Sequence, residues 1–157
     1  MTLSQSISSF LSPMPQFNCL AVFFAAMAGF VFGWLWYGPF FGKTWMKLAG
    51  VKEKRIPTKK VFSAMLIAFL VSLLTTYVLA HAIAVWRPST WSPLVQDMES
   101  FHYSFFVGFF AWLGFYVPVT VSSVLWENKP WKLFFLNNSF YFFNLQIMSA
   151  VIAFWPN

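Results

Sequence analysis

Four stretches of this chain, at 17–37, 61–86, 101–125 and 133–155, contain no Asp, Glu, Lys or Arg. A helix needs about 20 consecutive apolar residues to cross a hydrocarbon core about 30 Å thick, and each stretch supplies them. Backbone N–H and C=O groups find no water in that core, so only helices or closed barrels cross it. The apolarity runs continuously rather than alternating, which selects helices over strands. The expected fold is therefore an all-α membrane protein, one polytopic domain over 1–157. It is read as an antiparallel, left-handed-leaning bundle of four transmembrane helices. Composition agrees: 59% of the 157 residues are hydrophobic and 9% charged, against about 25% charged in a soluble domain. Such a chain cannot cover itself with enough charge to stay dispersed in water.

The formal net charge of +6 sits in one place. Lys43, Lys47, Lys52, Lys54, Arg55, Lys59 and Lys60 face a single acid, Glu53, between the first two apolar stretches, and the remaining charges cancel. A basic loop this short between two apolar segments is a topology signal rather than a nucleic-acid surface. It predicts a multi-pass membrane protein with the first and third loops cytoplasmic and both termini outside. Trp34, Trp36, Tyr37, Trp86, Trp91, Trp126, Trp131 and Trp155 fall where interfacial aromatic belts belong under that topology. Residues 1–16 are serine-containing and lack a basic n-region, unlike a cleavable signal peptide. The single cysteine, Cys19, excludes an intramolecular disulfide.

Ala21, Ala25, Gly29 and Gly33 recur every four residues on the first helix. Small residues at that spacing let another helix approach closely, either within the chain or in a homo-oligomer. Gly38-Pro39 is expected to end this span. Beyond it, Phe41, Trp45 and Leu48 share one helical face while Lys43 and Lys47 occupy another, the pattern of a short interfacial helix. Each of those lysines gains about 1 kcal/mol near an anionic membrane surface, so anionic lipid is an expected partner.

The run Gly33-Trp34-Leu35-Trp36-Tyr37-Gly38-Pro39-Phe40-Phe41-Gly42-Lys43-Thr44-Trp45-Met46, with Gly50 after it, resembles the opening signature of the bacterial domain-of-unknown-function family 1761. Trp112-Leu113-Gly114-Phe115, then Trp126-Glu127-Asn128-Lys129-Pro130 and Leu136-Asn137-Asn138, resemble its second half. The resemblance covers about Asn18 to the end. Trp126 and Asn138-Ser139 stand where relatives often carry Phe and small residues. The family implies a small four-helix membrane protein and supplies no activity, substrate or catalytic residue.

Polar side chains within the spans are the natural places to look for chemistry. Asn137, Tyr141, Asn144 and Met148 form one stripe on the fourth helix. An unpaired amide in hydrocarbon costs several kcal/mol, so these side chains either bond to Ser or Thr on helices 2 and 3 or line a polar path. Pro118 removes a backbone donor and predicts a kink in the third helix. His81, His102, Asp97 and Glu99 belong to one leaflet and could together ligate a divalent metal or, through a single histidine, a tetrapyrrole; the alternative is that they are ordinary interfacial polar groups. No cofactor is otherwise called for. No Asp or Glu lies within any span, so no intramembrane hydrolase pair can be assembled and catalytic residues are expected to be none.

The leading expectation is a non-enzymatic accessory or scaffold subunit of a membrane complex, partnered by lipids and by other membrane subunits or copies of itself, and not by nucleic acid. An oligomeric transporter or channel for ions or small solutes is the alternative. A cofactor- or pigment-binding subunit is a further one.

Overall fold

A computed structural model describes residues 18–51, 58–87 and 100–155. Within them every regular element is helical. Asn18 opens α1 (Cys19–Leu35), its side chain accepting from Leu20 N at 2.9 Å. A helix N-terminus leaves its first N–H groups unpaired, and an asparagine cap satisfies one of them. The helix runs on into a π-helical turn, Trp36–Phe40, where Phe41 N donates to Trp36 O at 2.9 Å. After Phe41 the short α2 (Gly42–Ala49) begins. It closes at Gly50, whose φ of 72° lets Val51 N reach Met46 O at 3.0 Å; a left-handed terminal glycine does this without strain.

The long α3 spans Thr58–Trp86. Next, α4 (Ser100–Ala111) passes through a second π-helical turn, Trp112–Tyr116, into α5 (Val117–Glu127). Asn128, at φ 54°, stops α5, and Pro130 precedes α6 (Trp131–Ala153).

Both π turns have a cause in sequence. A proline nitrogen cannot donate to the carbonyl four residues back, and its ring crowds that carbonyl. Widening the turn by one residue relieves both problems while the helix continues. Pro39 lies in the first π turn and Pro118 just beyond the second. Gly38-Pro39 therefore does not end the first span, which extends to Phe40, and Pro118 widens the third span.

α1 packs against α3 and α6, and α6 packs against α4 and α5 as well. Antiparallel pairing of α1 with α6 is marked by Phe24 stacking on Trp155 (5.2 Å) at one end and Tyr37 bonding to Asn137 at the other. Four helices meet at a buried cluster of Ala25, Leu79, Ile83, Val107, Leu145 and Met148. This core sits toward the end of the bundle where α3 finishes. At the opposite end α3 stands away: every residue from Lys59 to Ala68 is exposed, Phe62 to 69% and Ile67 to 60%.

Of the four expected apolar spans, three are found among the described residues. Three described helical stretches, Cys19–Phe40, Lys59–Trp86 and Phe101–Glu127, are long and apolar enough to cross a membrane. The 23 residues of α6 give about 35 Å, which is length enough. Asn137, Asn138, Ser139, Asn144, Gln146 and Ser149 dilute its apolarity. It is also the helix with Leu133, Asn138, Phe140, Leu145, Met148 and Ser149 all buried.

Candidate functional site

Each π turn carries one inward tyrosine, and each is followed two residues later by the proline that widens the turn. Tyr37 donates to Asn137 Oδ1 on α6 at 3.1 Å. Tyr116 lines the same cleft as Thr75 of α3 and packs its ring 4.7 Å from that of Tyr141 on α6. Thr120, one turn beyond Tyr116, donates to Tyr116 O at 2.7 Å and accepts from Asn138 Nδ2 at 2.7 Å. Trp112 Nε1 donates to Asn138 O at 3.0 Å. The π turns thus aim polar groups at the one helix that carries amides, and in hydrocarbon such groups need partners.

Three clefts adjoin at these tyrosines. The largest, about 730 Å³, lies between α1, α3 and α6, with Gly33 and Trp34 on one wall, Ala64 and Ala68 on another, Tyr141 at the back and Lys60 at its edge. A second, about 560 Å³, flanks the other side of α3 and shares Thr75, Tyr116 and Tyr141 with the first. A third, about 450 Å³, lies under α2 beside Trp45 and Met46 and shares Tyr37 and Tyr141. Pockets for small organic ligands run from about 300 to 1,000 Å³, with mostly apolar walls and a few fixed polar groups. The largest cleft has that size and that lining.

Residues 20–153 match the family model described as protein of unknown function (DUF1761). The chain belongs to this family. No curated protein and no solved structure matches, so membership brings no assigned activity, and the geometry of this member carries the functional argument.

In this family member, Ala21, Ala25 and Gly29 are buried on α1. A Cβ at Gly29 would collide with Met148 and lie 2.9 Å from Asn144 Oδ1, and one at Gly33 would touch Phe140 at 3.4 Å. The small-residue stripe thus lies against α6 of the same chain. Among the residues assigned to the interface, Trp34, Phe41, Lys43 and Lys47 are exposed. Trp36 packs on Phe41 (4.5 Å), and Trp45 packs on Tyr37 (5.8 Å). Gly42 holds α2 against this end, since a Cβ there would lie 2.6 Å from Tyr37 O.

The polar stripe of α6 divides. Asn137 is bonded to Tyr37 and Tyr141 lies against Tyr116, while Asn144 Oδ1 is buried with no hydrogen-bond partner among the described residues. The amide that does bond across helices to a threonine is Asn138. His81 lies on α3 with Nδ1 3.0 Å from Tyr77 O, and His102 is exposed on α4. Asp97 and Glu99 fall outside the described residues, and no group of three His, Cys, Asp or Glu that could hold a metal forms among the described ones.

Nothing in the spacing of polar residues singles out Tyr116, and Asn138 and Lys60 stand in motifs that do not place them at a site. A signal for Tyr116 was present. Trp34-Leu35-Trp36-Tyr37-Gly38-Pro39 and Trp112-Leu113-Gly114-Phe115-Tyr116-Val117-Pro118 share Trp-Leu followed by Tyr-x-Pro. That repetition marks two turns with one geometry.

Proposed function

We propose that this protein crosses a bacterial inner membrane four times and serves as a non-enzymatic binding subunit that admits one lipid-like molecule sideways into the cleft between α1, α3 and α6. The observation that carries this reading is the detachment of α3. Its first turns, Lys59 to Ala68, touch no other helix strongly enough to be covered, and they form one wall of an approximately 730 Å³ cleft. In lipid such an opening faces the hydrocarbon. An apolar molecule can enter it from the leaflet without crossing water.

The polar groups inside support a hydrocarbon occupant over a hydrated solute. Ser72 Oγ donates to Ala26 O at 2.9 Å, Thr75 Oγ1 to Val71 O at 3.0 Å and Tyr37 to Asn137. Donors already engaged with protein acceptors offer little to an ion's water shell. For the fourth crossing, the support is that α6 lies beside α1 from Tyr37–Asn137 to Phe24–Trp155, so it occupies the same depth. Asn137 and the Nδ2 of Asn138 find protein partners there, which offsets part of their cost in lipid. With the basic loop inside, both termini lie outside and the Glu127–Trp131 turn is cytoplasmic.

Two measurements test the reading. After purification in lipid nanodiscs, native mass spectrometry is expected to find one retained lipid, and Ala68→Trp, which fills the cleft, to remove it. Equal retention by the variant sinks the cleft. In a Cys19→Ser background, an impermeant thiol reagent added outside cells is expected to label a cysteine at Trp155 and spare one at Asn128. Labelling of both from the same side removes the fourth crossing.

A second reading, a scaffold for another membrane subunit, is favoured by the same bare face of α3. Its test is crosslinking from Phe62 in native membranes, and recovery of lipid adducts alone counts against it.

A further inference from the structure

We propose that the occupant of this cleft is an anionic glycerophospholipid, with one acyl chain between α1 and α3 and its phosphate at Lys60. This rests on the cleft reading above and adds the chemical class of the ligand.

Among the described residues that line the cleft, Lys60 is the one that carries charge, and no carboxylate is among them. Lys60 stands on the first turn of α3, the end that pulls away from the bundle, so its ammonium meets the cleft where the cleft opens. Deeper in, the wall contributed by α3 is largely apolar, with Val61, Ala64, Met65, Ala68 and Val71 facing Gly33 and Phe140. This is a lining suited to hydrocarbon, with small side chains at Ala64 and Ala68.

At the far end no charged side chain among the described residues lines the cleft, and several of its polar groups are engaged within the protein. Ser72, Thr75 and Tyr37 donate to protein acceptors. Asn144 also lines the cleft, with its Oδ1 buried beside Gly29. A molecule that satisfies all of this has one anionic end and one long apolar end, with the anion at the membrane interface. The chemistry matches a phospholipid of the surrounding leaflet, whose phosphate already lies at that depth. A lysine ammonium serves such a phosphate as a point charge.

Lys59 provides an internal control. It neighbours Lys60, carries the same charge and is exposed, but does not line the cleft. The experiment uses the full chain in nanodiscs holding equal phosphatidylglycerol and phosphatidylcholine, with native mass spectrometry of what stays bound. The wild-type chain is expected to retain phosphatidylglycerol preferentially. Lys60→Gln should cut that retention about fivefold, the effect of one basic residue at an anionic surface, and Lys59→Gln should change it far less. Equal losses in the two lysine variants reduce the effect to general surface attraction and overturn the proposal. Equal retention of both lipids by the wild type, abolished for both by Ala68→Trp, overturns the headgroup assignment and leaves the cleft standing. Retention unaffected by Ala68→Trp removes the cleft and this proposal with it.

Discussion

The first half of α3 and the whole of α6 belong to one bundle and invert the soluble rule. Lys59 to Ala68 of α3 is apolar beyond Lys59, Lys60 and Ser63 and is exposed throughout, whereas α6 is the most amide-rich helix and is wrapped by α1, α4 and α5. In water the assignment would be reversed, because exposed apolar area is what folding removes. In hydrocarbon a bare Phe62 or Ile67 costs nothing, and a bare Asn138 costs several kcal/mol. The comparison teaches that helix burial in this protein follows the need of polar groups for partners and close packing at small residues, not apolarity.

The sharpest way to break that comparison is to wedge α1 from α6. Gly29→Leu places a side chain into Met148 and Asn144, and overpacking of this kind costs about 1–3 kcal/mol. Unfolding by SDS in mixed micelles should show it as a clear fall in the midpoint. The matched change on the bare helix, Ala64→Leu, should leave the midpoint in place. Next in size is Asn138→Leu. It removes the 2.7 Å bond to Thr120 and the 3.0 Å bond to Phe134 O. The expected loss is about 1 kcal/mol, within the range of interhelical hydrogen bonds in membranes. Asn138 and Asn144 both carry a buried Oδ1 without a partner, but no hydrogen bond to offset it is seen at Asn144 among the described residues, so Asn144→Leu should show no loss or a slight gain in the same titration. Smallest of all is Ile67→Ala, expected to move stability by less than about 0.5 kcal/mol, as exposed substitutions do. A large effect there would mean that α3 has a covering partner that the isolated chain lacks.

Much of this was legible from spacing and charge. The uncharged runs locate the helices, and the offset of Phe41, Trp45 and Leu48 from Lys43 and Lys47 locates α2. Four-residue spacing of Ala25, Gly29 and Gly33 marks the face on which α6 lies. Three features were not legible, each for a physical reason. A helix that is apolar all round reads the same whether it is buried or bathed in lipid, so the detachment of α3 left no trace. Proline announces a broken hydrogen bond but not the repair, which at Pro39 and Pro118 is a widened turn instead of a stop or a simple kink. Asn137, Asn138 and Asn144 differ in fate by rotation about the helix axis, and only the neighbours decide which amide is bonded. Tyr116 becomes recognisable beside Tyr37 once both turns are seen to share a geometry.

The π turn at Trp112–Tyr116 has a mechanical corollary. It holds one residue more than the α-helical register requires, while Ala111 before it and Val117 after it keep ordinary helical dihedrals. Drawing that turn tight into α-helix rotates everything downstream by about 100° around its own axis, since 3.6 residues make one revolution. The rotation would swing Thr120 off Asn138 while α4 stayed seated on α6. One turn therefore sets the azimuth of α5, and Pro118 holds that setting by disfavouring the tighter coil.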